Sequence, residues 1–268
     1  MYVDSHCHLS FPELFHNLPA IRRAMADASV DRALCICTTL DEFERVHGLA
    51  TTYENFWCSV GVHPDDIDSR EPTVDALIEL SRRPKVVAIG ETGLDYYRLE
   101  GRSLAEMEWQ RERFRVHIRA ARGRSLPLVI HTRSASADTL RVLDEERGEE
   151  AGGVFHCFTE TAAVARAALD RGFHISFSGI LTFKTAQDLR DVAAFVPLDR
   201  CLVETDSPYL APVPFRGKVN SPAYVGYVVG QLAAVKGLAV EEVARATTTN
   251  FERLFGVPTV VSRPSEAA

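Results

Sequence analysis

The feature that most constrains the fold is a series of eight short apolar runs that alternate with longer amphipathic segments. The runs are Tyr2–Asp4, Ala33–Thr38, Phe56–Val62, Val86–Gly90, Leu128–His131, Val154–Cys157, His174–Phe177 and Leu202–Asp206. Short runs that are almost continuously apolar are typical of parallel strands covered on both faces. Eight such strands in 268 residues predict an α/β fold, a (β/α)8 TIM-like barrel in a single domain.

A doubly wound open sheet is the main alternative, because it also alternates strands with helices. No G-x-G-x-x-G pattern follows the first run, which weakens a dinucleotide-binding interpretation. No linker or shift in composition divides the chain. We therefore expect the barrel to span residues 1–257 and residues 258–268 to form a flexible C-terminal tail, since hydrophobic periodicity ends after Val257.

Helix boundaries can be predicted from residues that cap helix N-termini. Asp41 predicts a helix that begins near Glu42, and Thr73 predicts one that runs to about Arg83. Thr159 predicts the start of a later helix. We expect these helices to cover the outside of the barrel.

Composition limits the surfaces that the protein can offer. The net charge is −7, so no general basic surface is expected for coating nucleic acid, and a phosphate-bearing substrate must be held locally. The first apolar run is too short for a signal peptide and no run approaches a membrane span, which predicts a cytoplasmic protein without membrane contact. The six cysteines include no Cys-x-x-Cys pair, and we expect them to be reduced packing residues.

Side chains of metal-binding type follow the carboxyl ends of the predicted strands. They are His6, His8, His63, Glu91, His131, His156 and Asp206. In a parallel barrel all these strand ends open on one face, where such folds place active sites. The sequence therefore predicts that residues far apart along the chain converge on one site.

Each of these side chains also has an ordinary structural interpretation. Glu91 fits a turn carboxylate, His131 and His156 fit hydrogen-bonded core residues, and Asp206 fits a helix cap. Their joint position at successive strand ends favours a metal site. Even four of these five histidines, together with the two carboxylates, exceed what one catalytic zinc needs. The surplus predicts two divalent ions with a bridging carboxylate. Imidazole-rich ligation favours zinc or manganese over a site built for magnesium alone.

Six motifs in order along the chain resemble those of the TatD-type metal-dependent deoxyribonucleases, in particular the YcfH-like branch. The motifs are Val-Asp-Ser-His6-Cys-His8, Gly-Val-His63-Pro, Gly-Glu91-Thr-Gly-Leu-Asp-Tyr, Pro-Leu-Val-Ile-His131-Thr-Arg133, His156-Cys-Phe and Glu-Thr-Asp206-Ser-Pro-Tyr. The resemblance extends from the first residues to about Gly256. It implies a barrel of the amidohydrolase superfamily that hydrolyses phosphodiester bonds in DNA.

The resemblance also implies a division of the metal ligands. His6, His8, Glu91 and Asp206 would hold one ion. Glu91, His131 and His156 would hold the second, so that Glu91 bridges the pair. The cofactors expected on this basis are two divalent metal ions per chain, drawn from zinc, manganese or magnesium.

The expected reaction is attack of a metal-activated water on phosphorus, with Asp206 and Glu91 as catalytic residues and Asp206 as proton acceptor. Arg133, Arg216 and Lys218 are candidates for phosphate contacts. His63 is a candidate for a hydrogen bond to phosphate, although a metal ligand is equally consistent with the sequence. We expect a DNA substrate, single-stranded or a strand end cut by an exonuclease, and no obligate protein partner.

Two other functions remain consistent with the residues. One is an amidohydrolase-type enzyme that uses the same metals on an amide, an ester or a small phosphoester, because fold alone does not set the substrate. The other is a protein that binds metal without catalysis. The carboxylate suited to act as a base argues against this last possibility.

Overall fold

The strands of this computed structural model form one parallel sheet that curves into a nearly closed barrel. The structure describes residues 1–97, 99 and 101–258, so the predicted tail lies outside the described residues except for its first position. The strands are β1 Tyr2–Cys7, β2 Val30–Cys35, β3 Phe56–Val60, β4 Val86–Asp95, β5 Leu128–Arg133, β6 Gly153–Phe155, β7 His174–Phe177 and β8 Cys201–Val203. Neighbours in the sheet follow chain order from β1 to β8. The predicted barrel is confirmed, and the doubly wound alternative is wrong.

Helices separate the strands and cover the outside of the sheet. Within the described ranges they are α1 Pro12–Phe15, α2 Leu18–Asp27, α3 Phe43–Thr52, α4 Val74–Ser81, α5 Glu108–Arg124, α6 Ser136–Glu145, α7 Ala162–Asp170, α8 Gln187–Phe195, α9 Val225–Lys236 and α10 Val240–Phe255. Thr73 caps α4 as predicted, because its hydroxyl accepts the N–H of Ala76. The helix predicted to begin near Glu42 does so, at Phe43, but Asp41 is wrong as its cap because the N-cap residue is Glu42. Thr159 is also wrong as a cap, since Thr161 caps α7.

No single helix in the described part of the chain is both long and apolar enough to cross a membrane. Residues 222–236 and 240–255 meet the length and composition requirement only as a pair, with a bend of 112° between them.

Two apolar clusters stabilise the barrel. The larger lies between the sheet and the surrounding helices. The smaller joins inward side chains of the strands to the end of the chain's last helix, where Trp57 meets Phe251 and Phe255 closes the cluster. This interior packing fills the amino-terminal half of the barrel, and the carboxyl end of the sheet surrounds the cavity described below.

The seam between β1 and β8 is closed by polar contacts rather than by a regular ladder. Asp206 N–H donates to the carbonyl of His6 (3.0 Å), and His8 N–H donates to the carbonyl of Ser207 (2.8 Å). The buried carboxylate of Asp4 accepts from the backbone N–H of Thr205 at 2.9 Å. The last strand end is thereby fixed beside the first.

Strand β4 is longer than predicted and carries Glu91 in its interior. Its pairing with β5 continues past Gly90, with Gly93 opposite His131. Both glycines have positive φ, and a Cβ on Gly93 would lie only 2.0 Å from the carbonyl oxygen of His131. Glycine at this position therefore permits the close approach that brings Glu91 beside β5.

A buried histidine of α5 fixes the loop that carries His63. His117 accepts the N–H of Val62 at Nε2 (3.0 Å) and contacts the carbonyl of Arg113 at Nδ1 (2.8 Å). Burial lowers the pKa of His117 to about 4. The folded protein therefore keeps this ring neutral well below the pH at which an unfolded chain protonates it.

Protonation of His117 should make stability fall as the solution is acidified. Below the unfolded pKa of 6.5 the unfolded chain takes up a proton that the folded chain refuses, until the folded pKa of about 4 is reached. The free energy of unfolding should fall by up to about 1.4 kcal/mol per pH unit from this residue alone. Urea unfolding of wild type and His117→Gln between pH 7.5 and 4 measures this change in the free energy of unfolding. The variant should show the shallower pH dependence, and parallel curves would contradict the assignment.

Candidate metal centre

The carboxyl ends of the strands surround a cavity of about 760 Å³. Its described lining includes six of the seven predicted ligand-type residues, which are His8, His63, Glu91, His131, His156 and Asp206. His6, the seventh, is fully buried directly beneath them and contacts Glu91. The strand ends thus bring together all the side chains that the sequence pattern singled out.

One oxygen of Glu91 faces the first strand of the barrel. His6 Nε2 lies 3.3 Å from Glu91 Oε2, and His8 Nε2 lies 3.9 Å from the same atom. Asp206 completes the group, with Oδ1 3.3 Å from His8 Nε2 and 3.6 Å from His6 Nε2. Two imidazoles and two carboxylates therefore converge on one point.

The other oxygen of Glu91 faces the opposite side of the cavity. Its Oε1 lies 2.7 Å from His156 Nε2, 3.3 Å from His131 Nδ1 and 3.5 Å from His63 Nε2. His63 therefore lies among the nitrogen donors, a position that the sequence left undecided between a metal and a phosphate contact. Glu91 is the one carboxylate that touches both groups among the described residues.

The donor atoms fit a divalent cation on geometric and chemical grounds. The Nε2 atoms of His6 and His8 lie 3.2 Å apart, so a single proton can lie between them. Each of these nitrogens also faces a carboxylate oxygen, of Glu91 or Asp206. In three groups of ligand-type side chains, one ligand atom from each residue lies within 4.8 Å of those of the others. They are His6–His8–Glu91, His6–His156–Asp206 and His63–Glu91–His131. Imidazole and carboxylate donors in such groups suit zinc and related ions.

Two further carboxylates hold histidines of the site, and the sequence analysis assigned them no role. Asp95 Oδ2 lies 2.9 Å from His131 Nε2. Glu204 Oε1 lies 3.2 Å from His156 Nδ1 and accepts the N–H of Cys157 at 2.8 Å. A carboxylate on the outer nitrogen fixes a ligand histidine's tautomer and orientation. Asp95 lies four residues after Glu91, and Glu204 lies two residues before Asp206, so both belong to motifs that resemble those of the TatD family. Only the fold shows which histidine each one contacts.

The site keeps its carboxylates ionised. Burial raises the pKa of Glu91, but the neighbouring His156, His6 and His63 outweigh burial and hold that pKa well below its usual value. Burial likewise raises the pKa of Asp206, and the contacts with His8 and His6 again reverse the shift. Ionised carboxylates are the form that binds metal and accepts a proton.

The three predicted cationic residues lie in different places. Arg133 lines the cavity, and its guanidinium lies 3.6 Å from the ring centroid of Tyr97. Arg216 and Lys218 are outside the described lining. The guanidinium of Arg216 lies over the ring of Phe183 at 3.6 Å.

The comparisons with known proteins agree with this geometry. A family model described as TatD-related DNase matches residues 3–256. The chain belongs to the TatD family. In Escherichia coli K12, a relative named an uncharacterized metal-dependent hydrolase, YcfH, is 47% identical over 259 residues, covering 95% of this chain and 96% of the relative.

Two further members give the family context. A relative named 3′-5′ ssDNA/RNA exonuclease TatD, from Citrobacter koseri, is 33% identical over 243 residues, covering 88% of this chain and 92% of the relative. The crystal structure of YjjV, a TatD homologue from E. coli, superposes with a TM-score of 0.87 at 29% identity and covers 96% of this chain and 98% of YjjV. This TatD-family protein is therefore a metal-dependent hydrolase with a TIM-like barrel.

Loss of the Asp95 charge should weaken metal binding without removing any of the predicted metal ligands. In Asp95→Asn the side chain still reaches His131, but the charge that makes this ring a better ligand is gone. Affinity for one ion should fall roughly 10- to 100-fold. Competition with a chromogenic chelator measures the change, with Asp188→Asn on exposed α8 as the matched control. Equal affinities in the two variants would contradict the role of Asp95.

Proposed function

We propose that the protein is a deoxyribonuclease that uses two divalent metal ions to hydrolyse phosphodiester bonds at the ends of single-stranded DNA. The observation that carries the proposal is the position of Glu91, whose Oε2 faces His6 and His8 and whose Oε1 faces His131 and His156. A carboxylate so placed suits a bridge between two ions. Zinc or manganese fits the imidazole-rich donor set better than magnesium does.

The ligand assignment follows the two sides of Glu91. His6, His8 and Asp206 would hold one ion on the side of the first strand, and His131 and His156 would hold the other. His63 would either complete the second set or donate to a phosphoryl oxygen. Ions bound there would lower the pKa of a water and neutralise charge on the phosphoryl oxygens.

Asp206 is the residue best placed to accept the proton of the attacking water. Its carboxylate lies at the edge of the metal centre, with a side chain 15% exposed, whereas Glu91 is 3% exposed and surrounded by imidazoles. The pKa of Asp206 lies below its ordinary value despite burial, because His8 and His6 favour the ionised form. It is therefore unprotonated at neutral pH and available as a general base.

Arg133 is proposed to hold the phosphate that enters the cavity. Its planar guanidinium can pair with two phosphate oxygens, and the ring of Tyr97 supports it from one side. Arg216 and Lys218 are not among the described residues that line the cavity and would contact only the more distant phosphates of a longer strand.

The charge of the cavity supports a strand end as the substrate rather than a long tract of DNA. Among the described lining residues, Arg133 is the only lysine or arginine, whereas five carboxylates line the same space: Asp65, Asp66, Glu91, Asp95 and Asp206. A protein that follows a nucleic acid backbone needs a basic groove. The C. koseri relative, named an exonuclease for single-stranded DNA and RNA, supports the same class of substrate.

The acidic lining also favours a second candidate, hydrolysis of a small phosphoester, ester or amide. Such a substrate would need only the metals and Arg133. Side-by-side rates on single-stranded DNA, a small phosphodiester and an acyl ester separate the two functions. DNA should be the preferred substrate by kcat/KM.

Removal of the proton acceptor should abolish most of the activity. Asp206→Asn keeps the size of the side chain but removes the base, so the rate on end-labelled single-stranded DNA should fall roughly 10²- to 10⁴-fold. The assay compares zinc, manganese and magnesium, uses Asp188→Asn as the matched control and checks folding by circular dichroism. Undiminished hydrolysis by purified Asp206→Asn would contradict the mechanism.

A further inference from the structure

The lip of the cavity beside Asp206 carries an exposed aromatic ring. Tyr209 lines the cavity, and it is 53% exposed although the surrounding strand ends are buried. Phe11 approaches it from β1's side, with ring centroids 6.3 Å apart and planes at 75°. The partly buried apolar side chains of Ile180 and Leu210 line the same space.

Hydrogen bonds fix the backbone of Tyr209 relative to Asp206, the proposed proton acceptor. Its N–H donates to the carbonyl of Asp206 at 3.0 Å, and its own carbonyl accepts from the side-chain amide of Asn220 at 2.6 Å. The same amide, fully buried, also donates to the carbonyl of Thr205 at 2.8 Å. The backbone that presents the ring is therefore fixed relative to the metal centre.

Phe11 is fixed in the same way relative to His8, the neighbour of Asp206 in the site. Its N–H donates to the carbonyl of His8 at 3.0 Å, and its ring stacks on the imidazole of His8 with centroids 4.7 Å apart. Packing on His8 explains why Phe11 is aromatic and partly buried. The same explanation does not extend to Tyr209, which meets Phe11 through an edge contact and leaves more than half of its surface to solvent.

We propose that Tyr209, backed by Phe11, is a stacking subsite for the nucleobase next to the scissile phosphate. This inference rests on the proposed nuclease function and adds the part of the substrate that the metals and Arg133 do not contact. Stacking supplies affinity that does not depend on positive charge, which the cavity lacks beyond Arg133 among its described residues. Every base offers a π face, so the subsite would accept any sequence.

If Tyr209 stacks on a nucleobase, the enzyme should prefer a strand end that carries its terminal base over an end that lacks it. The test compares kcat/KM on two single-stranded oligodeoxynucleotides that differ only in a normal or an abasic terminal residue. Wild type should prefer the normal end roughly 5- to 150-fold, mainly through KM. The preference should fall towards one in Tyr209→Ala and return in Tyr209→Phe, which keeps the ring.

Tyr227→Ala is the matched control, because Tyr227 is a similarly exposed tyrosine outside the described lining. This variant should keep the wild-type preference. Equal rates on the two ends in wild type, or an unchanged preference in Tyr209→Ala, would overturn the subsite.

A binding measurement separates this inference from the proposed function. Fluorescence anisotropy with oligonucleotides whose terminal linkage is a phosphorothioate reports affinity without turnover. Base-dependent binding that needs Tyr209, in a protein that hydrolyses no DNA, would support the subsite and overturn the nuclease. DNA hydrolysis without base-dependent binding would overturn the subsite and leave the nuclease standing.

Discussion

The functional end of the barrel depends on one buried carboxylate, that of Glu91. It lies between two sets of imidazoles, and each of its oxygens contacts a different set. An ionised carboxylate at this depth is stable only because these partners outweigh the penalty of burial. A metal pair would satisfy the same donors more completely, which is why the proposed chemistry centres on this residue.

The barrel creates this arrangement by bringing six distant parts of the chain to one edge. Glycines in β4 let Glu91 approach β5, and backbone hydrogen bonds across the seam hold Asp206 beside His6 and His8. Interior packing fills the amino-terminal half of the barrel, and the candidate site lies at the carboxyl end. The amino-terminal half of the barrel therefore contributes mainly to stability, and the carboxyl ends of the same strands carry the candidate site.

The sequence predicted the barrel and the convergence of the ligand-type side chains, because both follow from periodicity and from strand ends. It did not predict that β4 continues to Asp95, because glycines such as Gly90 and Gly93 usually indicate the end of a strand. Only the structure shows that they permit the close approach to β5. The contacts of Asp95 and Glu204 with individual histidines also required the fold. Arg216 and Lys218 follow β8 in sequence, yet neither is among the described residues that line the cavity, a distinction that strand order cannot make.

The most direct test of the account is whether Glu91 joins two metal ions. Manganese-loaded protein should contain two ions per chain and give the electron paramagnetic resonance spectrum of a spin-coupled pair, because a shared carboxylate keeps two ions roughly 3.5–4 Å apart. The coupling should disappear in Glu91→Gln. One ion per chain in the wild type, or two ions without coupling, would contradict the central claim.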